Sequence, residues 1–312
     1  MRRRIVITVG VVAGVAALTG LAWALHAPRG VRPHGGWWAG WRDPARSLTA
    51  QAARAGAKGD WAQTAALCQQ VLRDYPGASM RDTALLLLGD ALARQDRLAE
   101  ARDAYKRLLE EAPNSPRIGE AQDRLGDVNI RLLFSSTITP PDAAYDVRPG
   151  DTLTKIAKEQ RTTVELLMRA NHLSSGLLQP KMRLKVPRAQ FSVVVNKSQN
   201  TLLLKSGEDV VKVYRVATGK NNSTPVGTFT IITRIPNPPW YTPQGVIPFG
   251  DPRNILGTRW MGFDKPSYGI HGTADPSSIG KQATAGCVRM ANHDVEELYT
   301  LLPLGTPVTI ID

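Results

Sequence analysis

Cysteine is nearly absent from this 312-residue chain: Cys68 and Cys287 are the only two. A fold stapled by disulfides is therefore excluded, and each core must be apolar. The two do not pair on this reading, because Cys68 lies in a helical repeat and Cys287 in a motif with chemistry of its own. Histidine is scarce as well, at five, and neither His271 nor His293 has the clustered His or carboxylate neighbours that a zinc site requires. No glycine-rich phosphate loop is present, so neither a metal nor a nucleotide cofactor is implied. Acidic residues number 27 against 39 basic ones, a net charge of +12. Half of that excess falls within residues 1–46, which removes the case for a nucleic-acid-binding face. With 42% apolar and 21% charged residues the chain is not mainly disordered.

Long apolar runs are limited to one. Ile5 to Leu25 is uncharged for 21 residues, enough for a helix to cross a bilayer. Arg2, Arg3 and Arg4 precede it, and the positive-inside rule keeps them in the cytoplasm while everything after residue 25 is exported. The run exceeds the ~7–15 residues of a signal-peptide core, which favours an uncleaved anchor in the cytoplasmic membrane over removal at Ala22-Trp23-Ala24. Residues 26–46, with Pro28, Pro33, Pro44, Trp37, Trp38 and Trp41, read as a linker.

Over residues 47–135 the apolar spacing becomes helical and repeats every 37 residues. Trp61 recurs as Leu98, Cys68 as Tyr105, Leu72 as Leu109, Pro76 as Pro113, and Leu88-Gly89-Asp90 as Leu125-Gly126-Asp127. The prolines mark helix ends. This pattern resembles tetratricopeptide repeats, whose usual period is about 34, and implies stacked α-helices that serve either as a spacer or as a groove for a protein partner.

Residues 144–188 change character. A strand through Tyr145 turns at Pro149-Gly150, Asp151 or Thr152 can cap a short helix, Thr162-Thr163 starts a second one ending near Asn171, and Leu184 to Val186 returns as a strand. The βααβ order, with Gly150-Asp151-Thr152-Leu153 and Ala170-Asn171, resembles a LysM module. That resemblance implies binding to the glycan strands of peptidoglycan, through Gly150, Asp151, Thr152 and Leu153 and the segment from Ser175 to Gln179, by a unit separable from its neighbours.

From residue 190 to 312 strands dominate: Phe191 to Val195, Thr201 to Lys205, Val210 to Ala217, Thr228 to Thr233 and Val308 to Ile311 are rich in β-branched residues and separated by turn signals. Residues 236–268 read as a long Pro/Gly-rich loop with Trp240, Tyr241, Trp260 and Phe263, of the kind that acts as a lid. A helix from Asn292 or His293 to Leu302 is expected near the end.

Two reactive side chains stand out. His271 lies in Tyr268-Gly269-Ile270-His271-Gly272-Thr273, and Cys287 follows 16 residues later in Thr284-Ala285-Gly286-Cys287-Val288-Arg289-Met290. A thiol with pKa near ~8.5 is mostly protonated at neutral pH, so a nucleophilic cysteine needs a base beside it. Gly272 and Gly286 permit close backbone approach, and Arg289 can stabilise a thiolate, hold a carboxylate or pair with Asp294. Papain-like enzymes place Cys first, and caspases place His about 50 residues upstream; this order and spacing fit neither. The whole arrangement, with Asn292 and Asp294 following, resembles the YkuD-type L,D-transpeptidase catalytic domain. Thr224-Pro225-Val226-Gly227-Thr228-Phe229, Asn237-Pro238-Pro239-Trp240, Ile247-Pro248-Phe249-Gly250-Asp251-Pro252 and Leu256-Gly257-Thr258-Arg259-Trp260 fall in that family's order. Two positions depart from it: Thr284 stands where Ser is common, and Ala285 where His or Arg is.

The resemblance implies a thioester at Cys287 formed with a peptidoglycan tetrapeptide stem, loss of D-alanine, and transfer to an amine. His271 would be the base, oriented by a backbone carbonyl near Gly272. An oxyanion would be held by N–H groups of Cys287 and Gly286 or a neighbour, with Tyr268, Gly272, Thr284, Arg289 and Asn292 around the substrate. Water or a protein lysine as acceptor would use the same residues. The competing reading is a wall-binding scaffold whose C-terminal domain has little activity.

Overall fold

The structure, a computed structural model, describes residues 43–312. The apolar run Ile5 to Leu25 and the tryptophans Trp37, Trp38 and Trp41 lie outside the described residues. Among those described, no helix is long and apolar enough to cross a membrane.

Five helices come first: α1 (Pro44–Ala57), α2 (Trp61–Asp74), α3 (Arg81–Arg94), α4 (Leu98–Glu111) and α5 (Ile118–Leu133). Residues 44–46 are thus helix and not linker. Asp43 accepts hydrogen bonds from the N–H groups of Ala45 and Arg46, and Pro44 stands at the first helical position, where a missing N–H leaves no bond unmade. The 37-residue period becomes geometry, since α2 and α4 start that far apart, as do α3 and α5. Cys68 and Tyr105 fill matching buried positions, each large apolar group contributing roughly 1.5–3 kcal/mol by burial. Gly89 lets α4 approach: a Cβ there would lie 2.4 Å from the Tyr105 ring. Its repeat counterpart Gly126 has no further helix to receive. Lys212 of the C-terminal sheet lies on it instead, 3.0 Å from where a Cβ would sit.

A βααβ unit follows, β1 (Ala143–Asp146), α6 (Leu153–Glu159), α7 (Val164–Ala170) and β2 (Arg183–Val186). Its strands pair antiparallel with Tyr145 opposite Leu184. Thr152 and Thr163 cap the helices by accepting from Lys155 N–H and Leu166 N–H.

The rest of the chain forms β3 (Phe191–Asn196), β4 (Thr201–Ser206), β5 (Asp209–Arg215), β6 (Thr218–Gly219), β7 (Gly227–Pro236), β8 (Trp240–Thr242), β9 (Gly245–Ile247), β10 (Arg259–Phe263), β11 (Gly269–His271), β12 (Gln282–Thr284), β13 (Val288–Arg289), α8 (Asn292–Leu301) and β14 (Pro307–Ile311). Eight of these strands make one sheet in the order β13-β11-β10-β7-β14-β3-β4-β5. The long strand β7 joins its two halves, pairing first with β14 and then with β10. Val193, Val195, Leu202, Leu204, Val308 and Ile310 point inward at period two. The expected lid loop is a different thing: residues 236–268 hold the β8–β9 hairpin and the sheet strand β10. Phe263 stacks on Phe229 at 5.5 Å in the core, while Tyr241 in the hairpin is 73% exposed.

Nor are the modules separable. Leu166 of α7 and Ile130 of α5 are buried in the same cluster as Val193, Ile231 and Leu298. The Thr163 hydroxyl donates to the Thr300 carbonyl. Lys185 of β2 is buried against Asp142 at 3.2 Å and donates to the carbonyls of Leu132 at 2.7 Å and Ser135 at 2.9 Å. It thereby adds a donor to the Leu132 carbonyl at the end of α5, which also accepts from the Ser135 N–H and hydroxyl.

Candidate active site

The parallel pairing of β11 with β13 sets Ile270 beside Val288 and His271 beside Arg289, so the His and Cys segments meet at one edge of the sheet. Sixteen residues of sequence separation collapse because the intervening chain loops out and lays β12 against β6. Met290 N–H donates to the His271 carbonyl at 2.8 Å and closes the register.

His271 is 2% exposed. Burial brings its pKa down to about 4, with the Arg289 charge acting the same way and the carbonyls of Gly272 and Leu256 opposing. Its Nδ1 lies 2.6 Å from the Gly272 carbonyl oxygen. A carbonyl only accepts, so Nδ1 carries the hydrogen and Nε2 the lone pair. Trp260 stacks on the ring at 6.0 Å.

Cys287 is half-buried, and its Sγ donates to the Ser267 carbonyl at 3.4 Å. Burial pushes the thiol pKa up, only partly offset by the Gly269 backbone and the Arg289 charge. Gly286 has φ +134°, and a Cβ would lie 2.8 Å from the Tyr268 ring; the tyrosine therefore shapes the loop before the thiol. The expected oxyanion role of Gly286 is corrected by its bonding. Its N–H donates to Thr284 Oγ1 at 3.1 Å, and that hydroxyl donates to the Cys287 carbonyl at 2.7 Å. The N–H of Cys287 makes no hydrogen bond among the described residues and is the donor left for an oxyanion.

Arg289 falls in a two-residue strand that begins after Cys287, so the two do not share a strand face. Its Nη1 donates to Ser278 Oγ at 3.1 Å, and its Nε is buried without a partner. Asp294 does not pair with it; His293 lies 3.0 Å from Asp294 instead. Asn292 is turned inward, its Oδ1 accepting from Thr273 N–H at 3.0 Å and Thr258 N–H at 3.3 Å. This makes it a brace between loops, not a substrate contact. Thr258, Ser267 and Ser278 carry no sequence signal, since each acts through a neighbour remote in the chain.

In the βααβ unit the four expected glycan contacts build the loop itself. Gly150 turns at φ +82°, and Thr152 is a helix cap. Leu153 lies in the core. The Asp151 carboxylate accepts from Tyr145 Oη, Arg148 N–H and Lys155 Nζ, with the Arg148 N–H foremost in holding its pKa down to about 2. Beside this loop opens a cleft of about 680 Å³ lined by Tyr145, Asp146, Arg148 and Lys181. In the segment from Ser175 to Gln179, Leu177 is 83% exposed. Among the described residues no group of three or more His, Cys, Asp or Glu side chains is placed to hold a metal ion.

Sequence comparison agrees with this architecture. The profile of the L,D-transpeptidase catalytic domain, YkuD, matches residues 190–310. The LysM domain profile matches residues 145–187, and a tetratricopeptide repeat profile residues 57–125. A Bacillus licheniformis protein named as an L,D-transpeptidase, YkuD, is 38% identical over 174 residues, 53% of this chain and 97% of its own length. A Bacillus subtilis protein named as an L,D-transpeptidase, YqjB, is 43% identical over 126 residues, 38% of this chain and 70% of its own. Among solved structures, an L,D-transpeptidase from Mycobacterium smegmatis aligns with a TM-score of 0.35 at 19% identity, over 42% of this chain and 64% of that one. The chain belongs to the YkuD family of L,D-transpeptidases and carries a LysM domain and tetratricopeptide repeats.

Proposed function

We propose that the chain cross-links peptidoglycan by acyl transfer through Cys287. The observation that carries this reading is the His271 ring: with Nδ1–H held by the Gly272 carbonyl, Nε2 is the basic atom left to take the thiol proton. The sulfur attacks the carbonyl carbon of the third residue of a tetrapeptide stem, and the oxyanion is met by Cys287 N–H. Collapse breaks the C–N bond to the terminal D-alanine, whose amine leaves with the proton held on His271. An amine of a second stem then attacks the thioester, the C–S bond breaks, and the amine proton returns through His271 to sulfur. One oxyanion donor typically contributes ~10²–10³ in rate and a placed acid–base ~10²–10⁴. The unpartnered Nε of Arg289 suits a substrate carboxylate.

In this reading residues 1–25 anchor the chain in the cytoplasmic membrane and 26–42 link it to the described unit, outside the cytoplasm. Residues 47–135 are the repeats, 144–188 hold a glycan strand, and 190–312 catalyse. The purified chain given tetrapeptide muropeptides is expected to release D-alanine and yield dimers joined between third residues, while Cys287→Ala does neither. Identical mass spectra for the two proteins would sink the enzymatic reading and leave the wall-binding scaffold.

A further inference from the structure

We propose that Asn292 is the positioning residue that fixes the tautomer and aim of His271, acting through the peptide group between Gly272 and Thr273; this rests on His271 being the base. Both ends of that one peptide are engaged. Its C=O accepts the His271 Nδ1–H at 2.6 Å, and its N–H donates to Asn292 Oδ1 at 3.0 Å. A peptide group is planar, so holding its N–H fixes where its carbonyl points. A hydrogen bond at the N–H end also polarises the carbonyl and strengthens the bond at the other end.

The surroundings are shaped for this contact. Gly272 and Gly257 present bare Cα atoms to the amide, where a Cβ would lie 2.2 Å and 2.3 Å from Asn292 Oδ1. Gly257 has φ +64°, and its neighbour Thr258 gives the amide its second donor. Asn292 is the first residue of α8, where an amide oxygen could cap its own helix. It does not: the N-cap position is Ala291, without a side-chain cap, and Oδ1 points to the loops. Val295 and Leu298, one and two turns on, are fully buried in the core, so the helix carries the rigidity of the sheet to the imidazole. Thr273 is 2% exposed, which leaves little room for water to replace the amide.

The test uses the ¹⁵N-labelled chain, reading the imidazole nitrogens by long-range proton–nitrogen NMR and D-alanine release by steady-state kinetics. Wild type is expected to show one tautomer, protonated at Nδ1. Asn292→Ala is expected to show mixed tautomers and a kcat about 10²-fold lower, the scale of a misaimed catalytic group, with KM for the tetrapeptide unchanged. Asn292→Asp keeps an acceptor oxygen and is expected to restore the tautomer and most of the rate. Gly272→Ala drives a methyl into Oδ1 with the amide still present, and decides the matter should Asn292→Ala not fold; it is expected to reproduce both changes. A single Nδ1–H tautomer in either folded variant, or failure of Asn292→Asp to restore it, overturns the proposal. The NMR readout needs no turnover, so a wild-type chain that releases no D-alanine counts against the transpeptidase reading and leaves the positioning question to the spectrum.

Discussion

Burial bears on His271 and Cys287 in the same sense. Burial lowers the imidazole pKa to about 4 and raises the thiol pKa, and both shifts disfavour the ionic form that a preformed thiolate–imidazolium would need. In the proposed mechanism the proton moves during attack, with the carbonyls of Gly272 and Leu256 favouring the imidazolium. A raised thiol pKa means less thiolate at neutral pH than in free cysteine. Iodoacetamide is accordingly expected to alkylate Cys287 more slowly than free cysteine at pH 7, the rate still rising with pH beyond ~8.5, the ordinary thiol value. Cys68 is fully buried in the repeats, its pKa pushed up to about 12, and should stay unmodified. Mass spectrometry of the peptides across a pH series checks both points, and a rate that plateaus below pH 7 would mean a thiolate is already formed. These two candidates stand out in sequence because a thiol and an imidazole declare themselves by type. The partners of Gly286, Asn292 and Arg289 were not, because each is a hydrogen bond to a loop whose course depends on sheet register.

The same limit separates elements that sequence reveals from those it hides. Alternating Val and Leu predicted β3, β4 and β14, and the 37-residue period predicted the helix pairs, since both depend on local spacing. Strand β10 was hidden in a stretch rich in Pro and Gly, because Gly262 serves close packing: a Cβ there would lie 2.4 Å from Thr233 Oγ1. What no period could reveal is the clasp between β2 and α5. Lys185 Nζ and Asp142 have side chains only 1% and 5% exposed, so removing the lysine leaves a buried carboxylate without its cation and the Ser135 carbonyl without its donor. Lys185→Met is expected to lower the urea unfolding free energy by about 3 kcal/mol, the scale of a broken buried pair. Adding Asp142→Leu should recover part of that loss, because apolar replacement of both partners leaves no charge behind. If the single variant unfolds at the wild-type midpoint, the clasp contributes nothing to joining the modules.

Residues 43–312 behave as one compact unit, and that decides how glycan binding has to be tested. Deleting residues 145–187 is the direct way to attempt a separation of wall binding from turnover. It would also remove Leu166 from the core that carries Val193 and Ile231, and the Thr163 bond to the carbonyl of Thr300 just ahead of Leu301 at the end of α8. Loss of turnover after such a deletion would report damage to the sheet and nothing about glycans. Point changes in the cleft avoid this. Arg148 and Lys181 line it and are exposed, and their side chains have no ion-pair partner among the described residues. Arg148→Glu with Lys181→Glu is therefore expected to preserve the fold and the release of D-alanine from small soluble muropeptides. Sedimentation with intact peptidoglycan should weaken severalfold, since the cleft would lose both cations and gain two anions beside Asp146. Unchanged sedimentation would move the glycan contact elsewhere, with exposed Leu177 as the next residue to change.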